Sequence, residues 1–229
     1  MSAPILLLPG MMCDARLYAH QTAALASAIA WPAPREETIS DMAEALLAEA
    51  PERFALAGLS MGGILAMEVI ARAPERVTRL ALLDTNHLAE VPERRVARAP
   101  QIAAVMEGRL EAVMVEEMKP AYLAPDHPET SAILRLVRDM ALDLGPEVFR
   151  AQSLALRDRP DQTETLRGVA VPTLILVGAH DRLCPVSRHE AMRDLVPGAR
   201  LRVLPDAGHL TPLEAPDAVT EALRDWSGW

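Results

Sequence analysis

The sequence lacks the features that binding a nucleic acid, crossing a membrane or building a disulfide framework would require. Its formal net charge is −9, whereas nucleic-acid binding needs a basic surface. It has two cysteines, Cys13 and Cys184, which is too few for a disulfide scaffold. The apolar run Ile5–Leu8 ends at a Pro-Gly pair and is too short for a membrane span or a signal peptide. We therefore expect a cytoplasmic protein with no nucleic-acid partner and no membrane span.

Aromatic residues and lysine are also scarce. Aromatics make up 3% of the chain and Lys119 is the single lysine, while half of the residues are hydrophobic. The core must therefore consist mainly of Ala, Leu, Val, Ile and Met. A chain of 229 residues buries roughly 70% of its extended surface on folding, which is enough for a stable core without disulfides.

Short apolar segments alternate with helical patterns along the chain. Near-continuous apolar segments of this length are typical of strands that are buried on both faces. Strands are predicted at residues 4–8, 54–59, 77–83, 172–177 and 200–204, with a weak further strand around 27–34. Helices are predicted at residues 15–29, 40–50 (beginning at Ser40), 62–73, 186–196 and 212–226. This alternation predicts an α/β fold with a mostly parallel central sheet and helices on both faces.

The segment 86–167 interrupts that alternation, because it shows helical patterns but no convincing strand. We call it the cap segment and predict that it is a helical insertion over the carboxyl edge of the sheet, with residues 1–85 and 168–229 forming the core domain. The alternative is that its helices belong to the main helical layer. Five apolar residues recur at helical spacing within it, which is more typical of a core than of a pocket: Leu134, Val137, Met140, Ala141 and Leu144.

Residues 58–62 read Gly-Leu-Ser-Met-Gly, a match to the G-x-S-x-G pattern. In that pattern the serine occupies a tight turn between a strand and a helix, where side chains at the glycine positions would collide. A chance match occurs about once in ten chains of this length at average composition. Here a predicted strand precedes Ser60 and a predicted helix follows it. Ser60 is therefore the candidate nucleophile.

A serine nucleophile needs a general base, and His209 is the best candidate. It follows the last predicted strand in the sequence Asp-Ala-Gly-His-Leu, and loops after strands are where α/β sheets bind ligands. The other histidines lie in predicted helices, in or near the cap segment, or beside an acid candidate: His20, His87, His127, His180 and His189.

An acid must orient the base and stabilise its protonated form. Asp181 follows the predicted strand at 172–177, and Asp84 follows the strand at 77–83. Asp181 is the favoured acid, and with it the chain order of the three residues is Ser, Asp, His. Asp84 remains the rival, with a turn or a helix cap as its other interpretation.

The oxyanion that forms during acyl transfer needs two backbone N–H donors. We expect one from Met61, which follows the nucleophile at a helix N-terminus. The other is expected from Met11, in the loop after the first strand. Met11, Met12 and Met61 are either part of an apolar acyl pocket or part of the core. Cys13 and Cys184 flank the same loops, and apolar packing is a better explanation for them than thiol chemistry.

Together these motifs resemble the α/β-hydrolase superfamily. The resemblance rests on Leu-Leu-Leu-Pro-Gly-Met-Met at 6–12, Gly-Leu-Ser-Met-Gly-Gly at 58–63, Val-Gly-Ala-His-Asp at 177–181 and Asp-Ala-Gly-His-Leu at 206–210. It implies a triad of Ser60, Asp181 and His209, with oxyanion donors at Met11 and Met61. Many relatives have His-Gly where this chain has Pro9-Gly10, and the usual first hairpin is missing, which indicates a compact member.

The expected activity is hydrolysis of a carboxylic ester or a related small acyl substrate through an acyl-enzyme, with no metal or cofactor. The same triad serves thioesterases, lactonases, perhydrolases and acyltransferases. A ligand-binding protein without catalysis is the alternative from another class, and such proteins tend to lose a triad member. The substrate and the oligomeric state are not determined by the sequence.

Overall fold

The computed structural model describes residues 3–118 and 121–229, so that Lys119 and Pro120 of the cap segment and residues 1–2 lie outside it. A six-stranded sheet forms the centre, and every neighbouring pair of its strands is parallel. Its strands are ordered β2-β1-β3-β4-β5-β6. They are β1 (Ile5–Leu8), β2 (Ala28–Ala30), β3 (Phe54–Leu59), β4 (Val77–Leu83), β5 (Thr173–Gly178) and β6 (Arg200–Leu204).

Helices cover both faces of this sheet, which confirms the predicted α/β architecture. Outside the cap segment they are α1 (Ala19–Ala24, after a 3-10 turn Ala15–Tyr18), α2 (Ile39–Glu49), α3 (Met61–Arg72), α8 (Val186–Leu195), α9 (Thr211–Glu214) and α10 (Pro216–Ser227). None of the helices in the described part of the chain combines the length and apolar character needed to cross a bilayer.

The cap segment is helical between β4 and β5, as predicted, and residues 86–118 and 121–167 contain no strand. Its helices are α4 (Pro92–Ala104), α5 (Leu110–Ala112), α6 (Thr130–Arg157) and α7 (Thr163–Arg167), with π-helical turns at Val105–Arg109 and Val113–Met118. The long helix α6 kinks at Gly145, where φ is 82°, directly before Pro146. The apolar residues Val137, Met140 and Ala141 of α6 are fully buried in the core, as their spacing predicted.

The strands place alternate side chains in two hydrophobic clusters, one on each face of the sheet. Leu6 and Leu8 of β1 pack with α2 and α3 in one cluster, while Ile5 and Leu7 pack with α10 and much of the cap segment in the other. This alternation follows from the twofold side-chain period of a strand. The near-continuous apolar strands of the sequence therefore reflect burial on both faces.

Three of the predicted helix boundaries are wrong, and each error has its own physical reason. The first helix ends at Ala24 rather than 29, because residues 28–30 pair with β1 as strand β2. Helix α2 begins after Thr38 rather than at Ser40, since the Thr38 hydroxyl caps it by accepting a hydrogen bond from the Asp41 N–H. The last helix divides at Ala215, because Pro216 disfavours the helical conformation of the residue before it.

Strand β1 and helix α3 approach so closely that only glycine fits at one position. A Cβ atom on Gly62 would lie 2.2 Å from the carbonyl oxygen of Leu8. The three nearest atoms all belong to the backbone of Leu8 and Pro9, so there is no flexible side chain that could move away. The contact sets the distance between the turn at Ser60 and the loop that follows β1.

We expect Gly62→Ala to destabilise the protein by about 1–3 kcal/mol, because overpacking a close contact typically costs that much. Gly168→Ala is the matched control, since a Cβ there would have its nearest neighbour, the Thr165 carbonyl oxygen, at 3.5 Å. The measurement is the free energy of unfolding in urea for both variants. Equal stability of the two would show that the contact between β1 and α3 is looser than described.

Candidate functional site

Ser60 forms the sharp turn between β3 and α3. Its φ is 53°, in the left-handed region, which costs a non-glycine residue on the order of 1–3 kcal/mol. Hydrogen bonds hold the turn: the Ser60 N–H donates to the Leu83 carbonyl at 2.9 Å, and the Thr85 hydroxyl donates to the Ser60 carbonyl at 2.6 Å. A Cβ on Gly58 would lie 2.2 Å from the Gly62 carbonyl oxygen, which confirms the steric role of the flanking glycines.

His189 stabilises this turn through Thr85, although it is far from the turn in sequence. Its Nε2 accepts a hydrogen bond from the Thr85 N–H at 3.0 Å, and Nδ1 lies 3.2 Å from the Pro185 carbonyl. Burial lowers the pKa of His189 to about 4, so the ring is a neutral acceptor at pH 7. The sequence showed His189 only as a histidine on a helix, and its contact with Thr85 depends on the packing of α8 against β5, the strand next to β4.

Ser60, His209 and Asp181 form a continuous chain of hydrogen bonds. His209 Nε2 lies 3.0 Å from Ser60 Oγ, and His209 Nδ1 lies 2.8 Å from Asp181 Oδ2. The other oxygen of Asp181 accepts from the N–H groups of Leu183 and Cys184 at 2.8 and 2.9 Å. Asp181 and His209 are both buried. The structure therefore brings together the three residues that the sequence singled out.

Asp84, the rival acid, belongs to a different network. Its carboxylate accepts from the Gly178 N–H at 2.9 Å and from the Thr211 hydroxyl. Burial, reinforced by the charge of Asp181, raises the pKa of Asp84 well above its ordinary value. Asp84 therefore connects β4, β5 and the start of α9, while the acid that contacts His209 is Asp181.

Glu214 is a residue of this site that the sequence reasoning missed. Its carboxylate accepts three backbone N–H groups: Oε2 accepts from Ala124 and Gly208, both at 2.8 Å, and Oε1 accepts from Leu210 at 2.9 Å. Two of these donors directly flank His209. The His209 N–H itself donates to the Tyr122 carbonyl at 2.6 Å. A buried carboxylate thus attaches the loop of His209 to residues 122–124 of the cap segment.

The two N–H donors expected from the sequence belong to Met61 and Met11. Met61 is the first residue of α3, so that its N–H has no acceptor within the helix. Met11 lies in the turn after β1 and lines the pocket. The next N–H, that of Met12, donates to Gln152 Oε1 of α6 at 2.8 Å, and Gln152 in turn donates to the Pro34 carbonyl. Gln152 therefore holds the loop in which Pro9 replaces the usual histidine.

A pocket of about 260 Å³ opens at Ser60 and His209. Of the three methionines, Met11 lines it, whereas Met12 and Met61 are fully buried in the core. Cys13 and Cys184 also line it. Burial raises the pKa of Cys13 to about 12 and that of Cys184 well above its ordinary value. Both thiols are therefore protonated at pH 7, which argues against a thiolate nucleophile.

Asp181, Cys184 and His209 offer ligand atoms that lie within 4.8 Å of one another. A metal there would need a Cys184 thiolate and would compete with the hydrogen bond between Asp181 and His209. The donor set therefore fits proton transfer from Ser60 better than metal binding.

Solved structures with this fold include several hydrolases. A thermophilic esterase from Thermogutta terrifontis, described with malate bound, is 30% identical with a TM-score of 0.86, covering 99% of this chain and 89% of that chain. An enol-lactonase from Burkholderia xenovorans is 26% identical with a TM-score of 0.88, covering 100% of this chain and 93% of that one.

A curated relative, the pimeloyl-[acyl-carrier protein] methyl ester esterase of Pectobacterium carotovorum, is 28% identical over 192 residues, covering 81% of this chain and 74% of the relative. These relatives and structural neighbours are hydrolases and esterases. A family model described as "Alpha/beta hydrolase family" matches residues 5–222. With nearly all of its length matched, the chain belongs to the alpha/beta hydrolase family.

Proposed function

We propose that the protein is a serine hydrolase that cleaves a carboxylic ester through an acyl-enzyme. The observation that supports this most directly is the hydrogen-bonded chain from Ser60 Oγ through the His209 ring to Asp181 Oδ2, with distances of 3.0 and 2.8 Å. This is the arrangement that activates a serine hydroxyl. The proposed substrate is a small acyl compound, and the chemistry requires no metal or organic cofactor.

In the first half of the proposed reaction, Ser60 Oγ attacks the ester carbonyl while His209 Nε2 takes the serine proton. The negative charge on the former carbonyl oxygen is stabilised by the N–H groups of Met11 and Met61. Asp181 keeps the other ring proton on Nδ1 and stabilises the imidazolium. His209 then donates its proton to the leaving alcohol, and the acyl group remains bonded to Ser60.

In the second half, His209 takes a proton from water as the water oxygen attacks the acyl carbonyl. The bond to Ser60 Oγ breaks and His209 returns the proton to the serine, which releases a carboxylic acid. A lactone is a cyclic ester, so the likeness to an enol-lactonase supports lactones as a variant of the same substrate class. The same triad would also serve thioester hydrolysis, perhydrolysis or acyl transfer.

We also propose that the cap segment forms one wall of the substrate pocket over a core domain of residues 1–85 and 168–229. The support is the composition of the pocket lining, which combines Gly10, Ser60 and His209 from the core with side chains of α4 and α6 from the cap segment. Such a wall would select substrates by size and charge.

Ser60→Ala should abolish labelling by a fluorophosphonate probe and lower the turnover of p-nitrophenyl esters by at least about 10⁴-fold, because the nucleophile is lost. The control is Ser187→Ala, which removes an exposed hydroxyl from α8 and should leave both readouts unchanged. If the wild-type protein were neither labelled nor active on any ester, the hydrolase proposal would be overturned.

Asp181→Asn should lower kcat by about 10³–10⁴-fold, since an amide at this position stabilises the wrong tautomer of His209. Asp84→Asn is the matched comparison, because its amide can still accept from Gly178 and contact Thr211. It should retain most of the activity. Steady-state rates on one p-nitrophenyl ester test both variants, and the opposite order of activities would assign the acid role to Asp84.

Glu214→Gln should lower kcat about tenfold with little change in KM. In either orientation the new amide nitrogen faces at least one backbone N–H, so the loop of His209 loses a hydrogen bond. Glu221→Gln on α10, where the carboxylate is exposed and pairs with Arg202, is the control. The rates should be measured well below the unfolding temperature of each variant, and equal kcat values for both would show that Glu214 has no part in positioning His209.

A further inference from the structure

One face of helix α4 lines the pocket, and most of the side chains on that face are polar. Arg94, Ala97, Arg98 and Gln101 follow the i, i+3, i+4, i+7 spacing of a single helix face, and all four line the pocket. A helix that packs on a core usually presents apolar residues at these positions. Here two of the four are arginines. The residues that α4 presents to the pocket are therefore those of a binding surface rather than a core.

A buried ion-pair cluster lies at the same wall. Glu90 is fully buried, and its Oε2 accepts from the Arg98 guanidinium at 2.6 Å. Arg159 Nη2 lies 3.1 Å from the other oxygen of Glu90, and the Arg159 side chain is 6% exposed. Arg159 also donates from Nε to the Leu88 carbonyl at 2.9 Å. Glu90 thus orients two guanidinium groups that both line the pocket.

Positive charge exceeds negative charge in this wall. Arg94, Arg98 and Arg159 line the pocket together with one acidic residue, Glu117. The Glu117 carboxylate is exposed and accepts a hydrogen bond from the Gln101 amide. Within the described residues, the Arg94 guanidinium donates a hydrogen bond only to the Leu183 carbonyl, at 3.5 Å. The arginines outnumber the carboxylates even when Glu90 is included. This local excess contrasts with the net charge of −9 of the whole chain.

We propose that this wall, which we call the arginine wall (Arg94, Arg98 and Arg159), binds an anionic group, a carboxylate or a phosphate, on the ester that Ser60 attacks. This inference rests on the proposed hydrolase function and specifies its substrate class. Guanidinium groups match the paired oxygens of such anions. Arg98 and Arg159 are largely buried around one carboxylate, that of Glu90. Burying excess positive charge without a counter-ion is costly, and a substrate anion supplies a second counter-ion. The pocket volume of about 260 Å³ suits a short ester whose far end carries the charge.

The first test compares mono-p-nitrophenyl glutarate, which ends in a carboxylate, with the neutral p-nitrophenyl pentanoate. The wild-type protein should have a higher kcat/KM for the charged ester. Arg94→Gln should lower the ratio of the two kcat/KM values about fivefold and Arg98→Gln about tenfold, because each removes a charged donor to the anion. Arg95→Gln is the matched control, since Arg95 lies on the same helix but pairs with Asp158. It should leave the ratio unchanged.

The second test measures binding without catalysis. Isothermal titration calorimetry of Ser60→Ala with glutarate, inorganic phosphate and the neutral glutaramide should show binding of at least one anion and none of the amide. The Arg94→Gln change should weaken that binding. Tighter binding of glutarate would assign a carboxylate-bearing substrate, and tighter binding of phosphate would assign a phosphate-bearing one.

The two tests separate the failure of this inference from the failure of the hydrolase proposal. A protein that labels at Ser60 and cleaves the neutral ester as well as the charged one, with the same ratio in every arginine variant, overturns the arginine wall as a substrate site. Equal binding of glutarate and glutaramide overturns it as well. Loss of labelling and turnover together, with glutarate still bound, would instead contradict the hydrolase proposal alone.

Discussion

The contact between the end of β1 and the start of α3 is the constraint on which the site depends. With a Cβ at Gly62 only 2.2 Å from the Leu8 carbonyl oxygen, no larger residue can occupy that position. This backbone contact places the loop that follows β1 beside the N-terminus of α3. The turn at that N-terminus holds the Ser60 hydroxyl, whose Oγ lies 3.0 Å from His209 Nε2.

A second group of contacts positions His209, and it joins the core to the cap segment. Glu214 binds N–H groups on both sides of His209 and one from Ala124, while the His209 N–H binds the Tyr122 carbonyl. The loop of His209 is thus held by a carboxylate from α9 and by the backbone of the cap segment. A rearrangement of residues 122–124 would therefore change the position of His209. Gln152 of α6 joins the cap segment to the loop of Met12 in the same way.

The electrostatics of the pocket follow from how each charge is partnered. Asp84 and Asp181 lie near each other, and burial with the charge of Asp181 raises the pKa of Asp84, while Asp181 is the carboxylate that contacts His209. Across the pocket, Glu90 holds Arg98 and Arg159 in place. The pocket therefore has a carboxylate behind His209 and three arginines on the side of the cap segment.

Local pattern alone predicted most of the sheet and the turn at Ser60. It also singled out Asp181 and His209, because parallel strands bring the loops at their carboxyl ends to one edge. The same reasoning extended the first helix too far, since the pairing of residues 28–30 with β1 is a long-range effect. It also missed Glu214, Gln152 and His189, whose partners are up to 140 residues away in the chain. The arginine spacing on α4 is visible in the sequence, but only packing determines that this face meets the pocket. Short-range periodicity is thus determined by the sequence itself, while the pairing of buried polar groups is decided by the tertiary structure, because each must find a partner wherever the folded chain provides one.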